Sequence, residues 1–303
     1  MIIKKVGILG LGALGILYGE KLSKLAGVDL YILVDGKRKR RYEEEGIFAN
    51  DKRLDLHYIN YEEEYVELDL IIVALKAYHL RETLPKIKGF FGENSFFISL
   101  LNGVDSEEVL EEYFGEGSVL YAVAQGMDAT RKDRRLYYKN TGNVSLGEKD
   151  QGESGRLKAV KDLFDKAGIQ WNTPEDIRHH MWSKLMLNCG INQVLALYEG
   201  SYEDFQKDLK IRQKTLDIME EVRAVANALG IHIKKEEIET WSQILDGLDP
   251  KMKPSMAQDM AYGRRMEIET FSGKICELGE KTGIPTPLNR KMKEDLLKKE
   301  KNR

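Results

Sequence analysis

Apolar positions in the first half of the chain come in short continuous runs, most of them followed by a stretch with helical spacing. Residues 6–9, 28–34, 68–75, 95–101 and 119–124 are such runs. Unbroken runs of this length suit parallel strands covered on both faces, and their alternation with helices predicts a doubly wound α/β sheet. Residues 54–59 suit a short edge strand. Residues 136–138 and 144–146, separated by Asn140-Thr141-Gly142, predict an antiparallel hairpin at the sheet edge. A helix over 155–167 and a short strand over 169–171 complete this half. From Thr173-Pro174 onward the period becomes helical throughout. Helices are predicted over 175–198, 205–229, 234–246, 256–282 and 288–300, punctuated by Gly230, Gly247, Pro250, Pro254, Gly283 and Pro285. The expected organisation is an α/β domain over residues 1–172 and an all-helical domain over 173–303. A substrate cleft is expected between them, at the carboxyl ends of the strands.

The first strand runs directly into G-x-G-x-x-G at Gly10, Gly12 and Gly15, and a helix is predicted over 13–26. In a dinucleotide-binding turn Gly10 allows the tight exit from the strand and Gly12 lets the backbone approach a pyrophosphate. Gly15 lets the helix pack closely on the sheet. Unpaired N–H groups at the helix start favour phosphate there. A plain strand-turn-helix would also tolerate these glycines. The second apolar strand, at the expected distance, favours the nucleotide site, built from Gly10, Leu11, Gly12, Ala13, Leu14 and Gly15. Asp35 ends that second strand, where an acid is the usual partner of an unphosphorylated ribose 2′-OH and repels a phosphate. Lys37 and Arg38 follow it closely enough to turn in and capture a 2′-phosphate.

Composition narrows the class. The 303 residues are 42% hydrophobic and 32% charged, yet the net charge is only −3, which gives no global attraction to nucleic acid or an anionic membrane. Cys189 and Cys276 are too few for a disulfide framework or a cysteine metal site, so no metal is expected. No apolar run approaches the roughly 20 residues a membrane helix needs. Strand one begins almost at once, which leaves no room for a signal peptide. A soluble cytoplasmic protein is expected.

Several polar residues stand where the pattern leads one to expect core. Lys76 and Asn102 each end an apolar strand, where ligands bind in such sheets, although a first solvated residue and an Asn-Gly turn would explain them equally. Lys184, Asn188 and Asn192 are spaced i, i+4, i+8, so they share one helix face with a drift of about 40° per step. Their neighbours Leu185, Met186, Leu187, Ile191 and Val194 are apolar, so these polar groups need partners or face water as a stripe. Ser255 with Gln258 reads as a capping box opening a helix. Glu267, three turns further in, could simply pair with Arg264.

Taken together, these segments resemble the ketopantoate reductases (2-dehydropantoate 2-reductases) over essentially the whole chain. The resemblance rests on Gly10 to Gly15, on Val73-Ala-Leu-Lys76, on Leu101-Asn102-Gly103, on the Lys184/Asn188/Asn192 helix, and on Ser255 with Glu267. It implies a Rossmann-type domain joined to a helical domain, and NADPH-dependent reduction of ketopantoate to pantoate on the route to pantothenate and coenzyme A. By resemblance, Lys184 is the general acid and Glu267 places the lysine and substrate. Asn188, Asn192 and Ser255 bind substrate, while Lys76 and Asn102 line the cofactor side near the nicotinamide. NADP is the expected cofactor, with NAD as the alternative that Asp35 opens. The partner implied is a small 2-keto acid, and the sequence leaves a homodimer open. Two rival readings share the same residues: reduction of another 2-keto acid, and non-catalytic sensing of NADP(H). A sensor has no need of the full substrate set.

Overall fold

The computed structural model describes residues 1–150 and 152–302. The chain folds as two compact units, Met1–Leu101 with Asp105–Ile177, and Asn102–Val104 with Arg178–Arg303. Arg303, the expected last residue of the helical domain, lies outside the described residues.

The first unit opens with β1 (Lys5–Leu9), α1 (Ala13–Leu22), β2 (Asp29–Val34) and α2 (Gly36–Glu45). β3 (Phe48–Ala49) and β4 (Lys52–Arg53) precede β5 (His57–Asn60), β6 (Leu68–Val73) and the one-turn helix α3 (Leu80–Thr83). Then come β7 (Phe91–Ser99), α4 (Ser106–Phe114), β8 (Val119–Met127), β9 (Thr130–Lys132) and β10 (Arg135–Tyr137). β11 (Thr141–Gly147), α5 (Gly155–Ala167) and β12 (Trp171–Asn172) close the unit. Among the described residues the main sheet has the order β12-β11-β8-β7-β6-β1-β2-β5. It is parallel from β8 to β5, the doubly wound arrangement the continuous apolar runs predict. The runs are continuous because each strand supplies both faces. Val6, Ile8, Leu70 and Ile72 enter one core, and Leu9, Leu33, Ile71 and Val73 the other.

The expected edge hairpin does not form. Its second half, β11, pairs antiparallel with β8 instead, Val144 opposite Ala124 and Leu146 opposite Ala122. Asn140 directs this return, donating to the Gly126 carbonyl at 2.8 Å and accepting from Gly142 N–H at 3.0 Å. Its first half, β10, joins a small sheet of order β4-β3-β10-β9. There the tight turn at Asp133, with φ of 53°, gives β10 a nearer antiparallel partner in β9.

In the second unit the expected long helices are cut into shorter ones. α6 (Ile177–Leu187) passes through a π-turn at Asn188–Asn192 into α7 (Gln193–Leu197). α8 (Tyr202–Lys207) stops at Asp208, whose carboxylate caps α9 (Leu209–Ala228) by accepting from Lys210 N–H at 2.8 Å. α10 (Lys235–Asp246) and α11 (Ser255–Ala261) follow. The helix expected over 256–282 breaks at Gly263, with φ of 65°, and resumes as a π-turn at Glu269–Gly273 and α12 (Lys274–Thr282). Glu267 therefore lies on a non-helical segment, not inside a helix. α13 (Pro287–Lys301) ends the unit, whose core includes Phe205, Ile218, Met219, Val222 and Phe271.

Leu136 is the fully buried residue of β10 and belongs to the core of the main sheet. Leu136→Ala is expected to lower unfolding stability by roughly 2–5 kcal/mol, the usual cost of such a truncation in a core. Denaturant unfolding measures it. A loss of only a few tenths would mean that the small sheet does not pack as described.

Candidate active site

The lysine of α6 sits in an apolar stretch, and its helix is held in place by side chains of α10. Glu237 accepts from Ser183 Oγ at 3.3 Å and from Lys234 N–H at 2.9 Å, and meets His179 Nε2 at 3.1 Å. Trp241 Nε1 donates to Ser183 Oγ at 2.9 Å. These bonds fix the rotation of α6 about its axis, and with it the direction of Lys184. Gly190 in the following π-turn allows close approach to α9, since a Cβ there would stand 3.0 Å from the Thr215 carbonyl oxygen.

Lys184 Nζ donates to Asn102 Oδ1 at 3.3 Å, and Asn102 Nδ2 donates to Glu267 Oε2 at 3.2 Å. The amide thus turns its oxygen to the cation and its nitrogen to the anion, which is the favourable direction of its dipole. Burial pushes the Lys184 pKa down to about 8, and the Glu267 carboxylate pulls it the other way. Glu267 is 5% exposed, between buried Met266 and Ile268. Its segment is pinned by Met266 N–H donating to Glu300 Oε1 of α13 at 2.7 Å. Arg264, the partner that spacing offered to Glu267, pairs with Asp259 at 2.7 Å.

The other predicted substrate residues form a second chain of bonds. Asn192 Nδ2 donates to Asn188 Oδ1 at 2.8 Å, and Ser255 Oγ donates to Asn192 Oδ1 at 3.3 Å. Four residues overshoot an α turn but fall short of a π turn, so the π-turn reverses the drift an α-helix would impose between the two asparagines. Ser255 is not a capping residue. Pro254 occupies the cap position of α11, and Gln258 donates to the Lys253 carbonyl at 2.9 Å. Sequence reasoning missed His180, one turn before Lys184. Burial, then the charges of Lys184 and His179, hold its imidazole below the usual histidine range. It also missed Gln193 and Ser272, whose side chains meet at 2.6 Å with both residues fully buried. Their signal was a polar residue inside an apolar helical run.

In the first unit the glycine turn has the shape a diphosphate requires. Gly10 has φ of 100°, and a Cβ at Gly15 would lie 2.0 Å from the Gly10 carbonyl oxygen. Gly12 is the N-cap of α1, so no side chain covers the first N–H groups of that helix. Leu11 is buried, while Ala13 and Leu14 open the helix partly exposed. The donor set thus fits the phosphates of a dinucleotide. Asp35 caps α2, accepting from Arg38 N–H at 2.7 Å, and its second oxygen pairs with the Arg38 guanidinium. Lys37 is exposed beside them. Lys76, partly buried, precedes a 3₁₀ turn at Ala77–His79. Among the described residues no helix is long and apolar enough to cross a membrane, and no cluster of three or more His, Cys, Asp or Glu could hold a metal.

Comparison with known proteins matches both units. The family model described as Ketopantoate reductase PanE/ApbA covers residues 6–151, and that of its C-terminal part covers 176–299. The 2-dehydropantoate 2-reductase of Streptococcus pyogenes is 27% identical over 300 residues, covering 97% of each chain. That of Archaeoglobus fulgidus is 28% identical over 294 residues, covering 96% of each. The solved structure of 2-dehydropantoate 2-reductase from Geobacter metallireducens has a TM-score of 0.86 at 26% identity, covering 97% of this chain and 99% of that one. Agreement that runs through the sheet and the helices alike, in the same order and nearly end to end, makes this chain an oxidoreductase belonging to the ketopantoate reductase family.

Proposed function

We propose that the protein reduces 2-dehydropantoate to pantoate with NADPH, Lys184 serving as the proton donor. The observation that carries this reading is the Asn102 amide set between the Lys184 ammonium and the Glu267 carboxylate. Reducing a ketone needs a hydride at carbon and a proton at oxygen. The nicotinamide, when bound, supplies the hydride. Alkoxide character then grows on the carbonyl oxygen, and an ammonium able to give up a proton near neutral pH suits that charge. Glu267 keeps Lys184 charged, and Asn102 fixes the orientation of both by accepting from the lysine and donating to the carboxylate. Asn188, Asn192 and Ser255 offer hydroxyl and amide groups to the hydroxyl and carboxylate of such a substrate. Gly10 to Gly15 hold the cofactor diphosphate. Lys76 is assigned to the nicotinamide side of the site. NADH or NADPH oxidation against a panel of 2-keto acids, ketopantoate among them, tests the reading. Turnover confined to another keto acid would replace the substrate, and none at all would favour a sensor.

Lys184→Ala is expected to cut turnover by roughly 10² to 10⁴, the range for a lost general acid, with cofactor affinity little changed. Near-normal turnover would remove the assignment. The pH dependence follows from the lowered lysine pKa. Reduction should be level below pH 7 and fall as pH rises through about 8, where Lys184 loses its proton. Stability moves the opposite way. The unfolded lysine keeps its proton to about 10.4, so between these values the unfolded chain binds more protons and stability rises with pH. Lys184→Met should abolish that rise in thermal unfolding measured at neutral and alkaline pH.

Two further outcomes test the cofactor assignment. A Cβ at Gly12 would stand 3.3 Å from the Ala74 carbonyl oxygen, and the rest of a valine would cover the helix start. Gly12→Val should therefore abolish nucleotide binding in a fluorescence titration while circular dichroism stays unchanged. Because Asp35 is engaged by Arg38, we assign the 2′-phosphate to Arg38 and Lys37. Changing both to Ala should weaken NADPH by about tenfold or more, as lost charge-assisted hydrogen bonds do, and leave NADH nearly untouched. A preference for NADH in the unmodified protein would make Asp35 the ribose ligand.

A further inference from the structure

Gln193 and Ser272 are polar, fully buried, and have no part in the chemistry proposed above. Each stands beside a residue that does. Gln193 follows Asn192 at the end of one π-turn, and Ser272 lies within the π-turn that begins just after Glu267. Gln193 Oε1 accepts from Ser272 Oγ at 2.6 Å and from Ser272 N–H at 3.3 Å. Gln193 Nε2 donates to the Cys189 carbonyl at 2.8 Å, inside its own π-turn. One amide therefore ties the lysine's helix to the segment that carries the carboxylate.

Apolar side chains could fill the same volume, as the rest of this unit's core is built, Leu195, Phe271 and Ile275 among its buried members. Apolar contacts tolerate sliding, whereas a three-point hydrogen-bonded junction admits one register. Register matters here because the Asn102 side chain bonds to both Lys184 and Glu267. A slip between the two π-turns of the size of one hydrogen bond would break that bridge. π-turns are also the places where the regular backbone ladder is interrupted, so side chains have to supply the missing constraint.

We propose that Gln193 and Ser272 form a positioning pair, clasping the two π-turns so that Lys184 and Glu267 keep the relative placement in which Asn102 bonds to both. The proposal rests on the reading of Lys184 and Glu267 as the reacting pair. Neither clasp residue is assigned a contact with substrate or cofactor.

Ser272→Ala removes one hydroxyl and keeps the Ser272 backbone bond, so it is the variant of choice. Ser272→Thr restores the hydroxyl, and Gln193→Leu removes the whole junction. The Lys184 titration is followed by NMR of lysine labelled with carbon-13 at Cε, in protein free of substrate and cofactor, with Lys184→Arg identifying the signal. Glu267 and His180 are the titratable groups that face this lysine across the site and along α6. In Ser272→Ala and Gln193→Leu the Lys184 titration should move below its unmodified position, because burial persists while the carboxylate recedes. Turnover should fall severalfold with the KM for NADPH unchanged, and Ser272→Thr should restore both. A Lys184 titration that coincides with the unmodified protein in Ser272→Ala overturns the proposal, whatever the change in Tm. Equal loss in Ser272→Thr overturns it too. If Gln193→Leu fails to fold, Ser272→Ala decides alone. A protein that reduces no 2-keto acid would overturn the functional reading only, since the titration is read without either ligand.

Discussion

A lysine carried among Leu185, Met186 and Leu187 has to find a counter-charge, or burial will strip its proton at neutral pH. Much of the helical unit is arranged around that requirement. Three separate stretches meet to satisfy it: α6 brings the ammonium, residues 102–104 bring an amide, and the segment after Gly263 brings a buried carboxylate. Each stretch is anchored from outside the group. Glu237 and Trp241 hold α6, Val104 packs into the helical core, and Glu300 grips the backbone at Met266. The outcome is a lysine whose proton burial loosens while the Glu267 carboxylate holds it back.

The irregular backbone lies where that arrangement demands it. A straight α-helix from 177 to 197 would swing Asn192 away from the face of Lys184, and the π-turn brings it back against Asn188 and Ser255. Likewise, a continuous helix through 256–282 would have given Glu267 a helical neighbour at Arg264. The break at Gly263 is followed by Arg264 pairing with Asp259, and residues 264–267 take no helical form. Local regularity has been given up at two π-turns and at the Gly263 break, all of them near Lys184 and Glu267 in the chain.

This pattern explains which parts were readable in the sequence. The strands were legible because sheets covered on both faces need apolar residues at every position, and α5 was legible because Ser154 caps it and Gly168 ends it in the left-handed region. The pairing of β11 was not, since Val144 and Leu146 suit any apolar neighbour and only Asn140 decides which strand they meet. Lys184, Asn188 and Asn192 could be placed on one face by spacing. Their partners could not, because Asn102 lies 82 residues from Lys184 and 165 from Glu267, and no local period links residues so far apart. Ser255 was misjudged for a related reason. A serine three residues before a glutamine fits a cap, and only the tertiary presence of Asn192 and of Pro254 in the cap position excludes it.

The chain enters the helical unit at Asn102, leaves it after Val104, and returns for good at Arg178. The helical unit is therefore not a contiguous cassette. A recombination that exchanged everything after residue 177 between two relatives would transplant the ammonium and the carboxylate but leave the intervening amide with its old host. Such a chimera inherits a spacer tuned to a different pair. The three residues thus sit in segments set by the three crossings rather than by the visible boundary between sheet and helices, and the turn after β7 belongs structurally with the distant half it contacts.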